Sequence, residues 1–114
     1  MGTRIKAFLD WQWQGYAPRH GDPLNRLLHA ATAPLVVGAL PLAAWAAAEA
    51  HWGVLGLAPL MPAAALLAQG WGHAREPVQP EPFAGPGDFV RRFLAEQLVT
   101  FPRFLLSGFR GARR

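Results

Sequence analysis

The chain has 114 residues, of which 52% are hydrophobic and only 16% charged, with no cysteine and a net charge of +4. That length holds one small domain, and the lack of cysteine excludes disulfides and thiolate metal sites. The basic residues do not form the stripe that a nucleic-acid binder needs: no Lys or Arg lies between Leu27 and Ala74, so they flank an apolar block instead.

Residues 3–17 read as an amphipathic helix. Ile5, Phe8, Leu9, Trp13 and Tyr16 recur at three- and four-residue steps and form one stripe. The stretch "HGDPLNRLLHAATAPL" follows. Asp22 suits an N-cap and Pro23 the first helical position, so a helix is expected over 23–50. Between Ala30 and Ala50 its only charge is Glu49, and as helix that run is roughly 31 Å long, about the hydrocarbon thickness of a bilayer. "HWG" marks a turn, with Gly53 as its breaker. A second uncharged run, "VLGLAPLMPAAALLAQGW", gives roughly 27 Å of helix within an expected segment 54–76. Both runs contain prolines, which membrane helices tolerate better than soluble ones. "EPVQPEPFAGPG" then forbids regular helix. Asp88 caps a last helix over 88–107, whose expected apolar side is Phe89, Phe93, Leu94, Leu98, Phe101 and Leu105. The "GARR" end reads as disordered. The expected fold is therefore all-α: a membrane hairpin of two spanning helices, flanked by N- and C-terminal amphipathic helices lying at the interface. Two short flanking helices are too little to cover so much apolar surface in water. Trp11, Trp13, Tyr16 and Trp71 near one end, with Trp45 and Trp52 near the other, resemble aromatic belts. All Lys and Arg lie beyond the same end of the hairpin, so both termini are expected to be cytoplasmic.

The polar residues concentrate at that end. The hairpin turn centres near His51, and His29 and His73 are equidistant from it in sequence. Helices of equal rise bring them to one depth. Each has an amide one turn earlier, Asn25 and Gln69, on its own helix face. His20 lies in the loop before Pro23, and Glu76 stands three residues after His73. Three imidazoles and a carboxylate suit zinc, iron or manganese, with Asn25 and Gln69 orienting the imidazoles. Polar groups this deep in an apolar frame are costly and tend to be functional. His51, roughly 30 Å away, cannot join them. Arg26 and Arg75 flank the two histidines and could hold a substrate carboxylate.

Tyr16, His20, Asn25, His29 and Pro34, followed by Gln69, Gly72-His73 and Glu76, give a pattern that resembles the small membrane family of 2-hydroxy fatty acid dioxygenases. The resemblance covers residues 13 to about 80. It implies an Fe(II)-dependent enzyme that shortens a 2-hydroxy fatty acid by one carbon with molecular oxygen, with His20, His29 and His73 on the iron. The family spacing places a glutamate four residues after its histidine. Here Glu76 is three after His73, and "EPVQPEPF" replaces the family's segment.

Independently of the resemblance, a metal at the helix ends would meet the carboxylate and adjacent carbon of a membrane-resident fatty acid. The competing expectation is a non-catalytic lipid-binding or assembly protein with structural histidines. A zinc hydrolase lacks a nucleophile, since the one serine, Ser107, sits near the C-terminus. The expected partners are a fatty acyl or lipid substrate and the membrane, with no nucleic acid. Two spanning helices are a thin scaffold, which also fits a homo-oligomer.

Overall fold

Asp22 caps α2 (Pro23–Ala48): its carboxylate accepts from the Asn25 amide, and Pro23 opens the helix. The computed structural model describes residues 2–111, and the expectation for the tail beyond Gly111 lies outside them. Before α2 come α1 (Gly2–Gln14) and a 3₁₀ turn (Ala17–His20). After it come α3 (Trp52–Leu57), α4 (Leu60–Ala74), α5 (Pro86–Ala95), a π-helical segment (Glu96–Thr100) and α6 (Phe101–Leu106). No strand occurs among the described residues.

The hairpin forms as expected, with some adjustments. The turn lies at Glu49–His51, where Ala50 takes a left-handed conformation, φ 58°. Gly53, expected to break the helix, lies inside α3. Trp45 stacks on His51 and packs the turn end. The second arm is interrupted at Ala58–Pro59, because Pro59 has no amide hydrogen to continue α3. Its helix ends at Ala74, which leaves Glu76 outside it. Pro23–Ala48 and Trp52–Ala74 are both long and apolar enough to cross a membrane. Only 22% and 17% of their most apolar windows are buried within the protein. Leu40, Leu57, Leu60 and Leu67 face outward, each at least 60% exposed. Such outward apolar surface is large for a chain in water and is of the kind a bilayer would cover.

α2 and α4 pack along each other, and they meet most closely at Gly72. A Cβ there would collide with Asn25 Oδ1 and stand 3.2 Å from the Asn25 Cα. A small residue is what lets two membrane helices approach this closely.

The last helix differs from the amphipathic reading. Gly85 is the N-cap and Pro86 the first residue, while Asp88 reaches back to accept from the Ala84 amide at 3.0 Å. The π segment widens the helix, and Gln97, Thr100, Phe101 and Phe104 become its buried residues. Leu98 and Leu105, on the expected apolar side, are nearly half exposed and do not join this packed face. The extra residue in the π turn breaks the 3.6-residue phase on which that expectation relied. Phe101 and Phe104 join Tyr16 and Ala33 in a small core, so this helix packs on the hairpin beside the histidines.

Candidate metal centre

Tyr16 and His20 come from the 3₁₀ turn, which Pro18 and the following Gly21 keep short. His20 Nδ1 lies 2.8 Å from the Tyr16 carbonyl, and His29 Nδ1 lies 2.9 Å from the Asn25 carbonyl. A carbonyl only accepts, so both Nδ1 atoms carry the hydrogen, and in the neutral rings Nε2 carries the lone pair. His73, in the last turn of α4, completes the group. The ring centroids are 4.7–5.0 Å apart, as His20–His73 4.7 Å, His20–His29 4.8 Å and His29–His73 5.0 Å. The two hairpin histidines therefore do share one depth.

Glu96, the first residue of the π segment, faces all three. Its Oε2 lies 3.3 Å from Nε2 of His20 and 3.3 Å from Nε2 of His29. One ligand atom each from His20, His29, His73 and Glu96 fit within 4.8 Å of one another. His20 Nε2, His29 Nε2 and His73 Nδ1 are buried and have no hydrogen-bond partner. Unpaired buried polar atoms are rare and costly. Here three of them converge on a carboxylate, so lone pairs face negative charge. A cation satisfies all four at once. The residues thus fit a metal ion, and three imidazoles with one carboxylate suit zinc, iron or manganese. Burial alone would raise the Glu96 carboxyl pKa, but when the Nε2 atoms of His20 and His29 carry protons, their hydrogen bonds and positive charge more than reverse this and hold it below the usual carboxylate range.

Tyr16 fixes this carboxylate. Its hydroxyl donates to Glu96 Oε2 at 2.8 Å, and its ring stacks on His20 at 3.7 Å. Burial first, then the Glu96 charge and hydrogen bond, push its phenol pKa well up, so it remains a donor.

Glu76, expected in the metal set, is elsewhere. Its carboxylate accepts from the Gly21 amide (3.1 Å), the Asp22 amide (2.9 Å) and Asn25 Nδ2 (2.8 Å). It fastens the end of α4 to the start of α2. Asn25 supports His29 through its backbone carbonyl, not its side chain. Gln69 contacts no imidazole: it exchanges two amide hydrogen bonds with Gln97, 3.0 and 2.8 Å, and donates to Thr32. The sequence signal for Glu96 was the "AEQL" stretch, a carboxylate–amide pair inside an otherwise apolar segment.

A cavity of about 500 Å³ reaches the cluster at His20, His73 and Glu96. Apolar walls from Trp11, Leu66, Phe83, Phe89 and Phe93 surround most of it. Neither Arg26 nor Arg75 lines it. Arg75 pairs with Asp22 at 2.7 Å and lies over Trp71, and Arg26 lies over Phe109. The arginines in the cavity wall are Arg19 and Arg92. Arg19 donates to the Gly15 and Gln79 carbonyls, and Arg92 to those of Glu81 and Pro82. They hold the proline-rich segment against the cavity.

Compared with family models, curated proteins and solved structures, the chain matches none.

Proposed function

We propose that the protein is a membrane-embedded, iron(II)-dependent dioxygenase that shortens 2-hydroxy fatty acids by one carbon. The observation that carries the reading is the convergence of three unpartnered imidazole nitrogens and a carboxylate beside a largely apolar cavity. Structural histidines pair their ring nitrogens, so this arrangement counts against the non-catalytic alternative. The sequence resemblance supplies the reaction.

In that reaction the bond between carbons 1 and 2 breaks. Carbon 1 leaves as carbon dioxide, and carbon 2 passes from alcohol to carboxyl. One dioxygen accepts all four electrons and one water forms, so no further reductant is consumed. His20, His29, His73 and Glu96 would hold the iron, which supplies the redox chemistry that zinc lacks. The cavity that His20, His73 and Glu96 also line would admit substrate and oxygen to a metal held there. Tyr16 holds Glu96 in place and presents a neutral hydroxyl beside it. Arg19 and Arg92 lie in the cavity wall and pair there with Glu81 and Asp88 at 3.4 Å; sharing those guanidinium groups with a substrate carboxylate would give them the role expected of Arg26 and Arg75. The aromatic walls exclude water around the reacting carbons. In the bilayer both termini face the cytoplasm, in keeping with the basic residues at that end.

The test is detergent-purified protein loaded with iron(II) under anaerobic conditions, then given oxygen and a long-chain 2-hydroxy fatty acid. The expected products are the acid one carbon shorter and carbon dioxide, in a 1:1 ratio. Zinc-loaded protein should be inactive. Iron-loaded protein that leaves the 2-hydroxy acid unchanged would overturn the reading.

A further inference from the structure

Two glycines on α4 sit near the cluster, and they lack side chains for different reasons. At Gly72 the packing demands it, because Asn25 occupies the space. At Gly70 it does not: a Cβ there would meet nothing within 4 Å. A glycine inside a helix costs about 1 kcal/mol relative to alanine, and no neighbour explains this one. Gly70 does line the cavity, one turn beyond Leu66, which lines it too. Both are exposed on the outward side of α4, within the span Trp52–Ala74 that is apolar enough to cross a membrane. The cavity is thus continuous with a lipid-facing surface at Leu66 and Gly70. His20, His73 and Glu96 line the same cavity.

The geometry points to a lateral acyl-chain entrance: Leu66 and Gly70 form the mouth through which the chain of a fatty acid passes from the leaflet to the metal centre. The inference rests on the reading of that centre as acting on fatty acids. A cavity of about 500 Å³ is in the range for one small ligand. It takes the acidic head and the first carbons, and the rest of the chain extends past Gly70 into lipid. Apolar walls at the mouth and charge deeper in match the polarity of such a molecule. A bulky side chain at 70 would close the mouth, and its Cβ meets nothing within 4 Å.

The experiment uses a 2-hydroxy fatty acid carrying a mid-chain diazirine, photolysed with the full-length protein in nanodiscs and mapped by mass spectrometry. Wild type, Gly70→Leu and Gly38→Leu are compared. Gly38 is equally free of contacts but lies on α2, away from the cavity. The expected label falls on Leu66, Gly70, Phe89 and Phe93. It drops by about tenfold or more in Gly70→Leu and is unchanged in Gly38→Leu, with metal content equal in all three. Should Gly70→Leu lose metal, Leu66→Trp carries the same expectation, since it enlarges an already exposed side chain. Label spread evenly over outward residues such as Leu40 and Leu67, or equal labelling of wild type and Gly70→Leu, would overturn the entrance. Labelling needs no turnover. Labelled mouth residues without a shortened product keep the entrance and reject the reaction. A shortened long-chain product formed equally well by Gly70→Leu rejects the entrance and keeps the reaction.

Discussion

The Tyr16 hydroxyl donates to Glu96 at 2.8 Å, joining residues 80 apart in the chain. The 3₁₀ turn before the hairpin and the π turn after it are thereby tied to one point, and His20 is stacked against the same ring. Two short irregular elements, not the long helices, complete the candidate site. Both π and 3₁₀ interruptions are common where a helix must aim a functional side chain.

This separates two glutamates with opposite expectations. Glu96→Gln removes the one carboxylate that joins the imidazoles among the described residues and should weaken metal binding by more than about 100-fold, since even outer partners of a metal ligand cost about 10- to 100-fold. Tyr16→Phe removes one such partner and should fall within that lower range. Glu76→Gln should lower thermal stability, because it weakens three hydrogen bonds that fasten α4 to α2, while bound metal stays stoichiometric in the folded protein. Metal quantification on the three purified variants decides the matter. Equal loss in Glu76→Gln and Glu96→Gln would return Glu76 to the ligand set.

Gly72→Ala tests the helix crossing. The added methyl meets Asn25 at its side chain and its Cα, and backbone cannot yield as a flexible side chain can. The helices must separate by a few tenths of an ångström or more, which moves His73 away from His29. Overpacking of this kind costs about 1–3 kcal/mol. The expected result is a lower melting temperature together with reduced metal content. Retention of both would show that α2 and α4 are not this close.

The Gln69–Gln97 pair is the polar link between α4 and the last helix. Its two hydrogen bonds lie in a buried site, and Gln97 is fully buried. Gln97→Leu leaves Gln69 with buried polar atoms unpaired and should destabilise by about 1–3 kcal/mol. Replacing both by leucine should recover part of that loss, because the Gln69 amide is then no longer stranded. A double-mutant cycle on thermal unfolding in detergent measures it, and additive losses would contradict a coupled pair.

What the sequence disclosed follows from what each residue's signal depends on. Asp22 and Pro23 announced the start of α2 because capping is local. His29 and His73 fell to one depth because helix rise is constant on both arms of a hairpin. Glu96 stayed hidden because its inward direction depends on a π turn that no local spacing marks. Glu76 looked like its substitute because sequence nearness to His73 was the only available guide, whereas the α4 helix ends at Ala74 and the chain turns Glu76 toward Gly21 instead. Gly53 was misread as the breaker for a related reason. Gly53 is the intrinsic helix breaker, yet Ala50 takes the left-handed conformation at the end of α2 and Gly53 continues as helix. Arg19 and Arg92 are in the cavity wall because a loop of prolines folds back over them, a long-range event that the positions of Arg26 and Arg75 beside the histidines did not reveal.

Membrane topology gives the last expectation. The chain has no cysteine, so single-cysteine variants report without background. Gly2 and Gly53 are exposed, and a side chain at either meets nothing within 4 Å, so Gly2→Cys and Gly53→Cys should fold as wild type. Gly2 lies at the end that carries His20 and the basic residues, and Gly53 lies at the turn between the two spans, near Glu49 and His51. Basic residues are retained on the cytoplasmic side during insertion. An impermeant maleimide applied to intact cells should therefore label Gly53→Cys and spare Gly2→Cys, and cell lysis should expose both. The candidate metal centre would then open at the cytoplasmic leaflet. Labelling of Gly2→Cys alone on intact cells would invert the protein and place the site on the opposite face. Labelling of neither variant before lysis, with the protein recovered in the soluble fraction, would remove the hairpin from the membrane altogether.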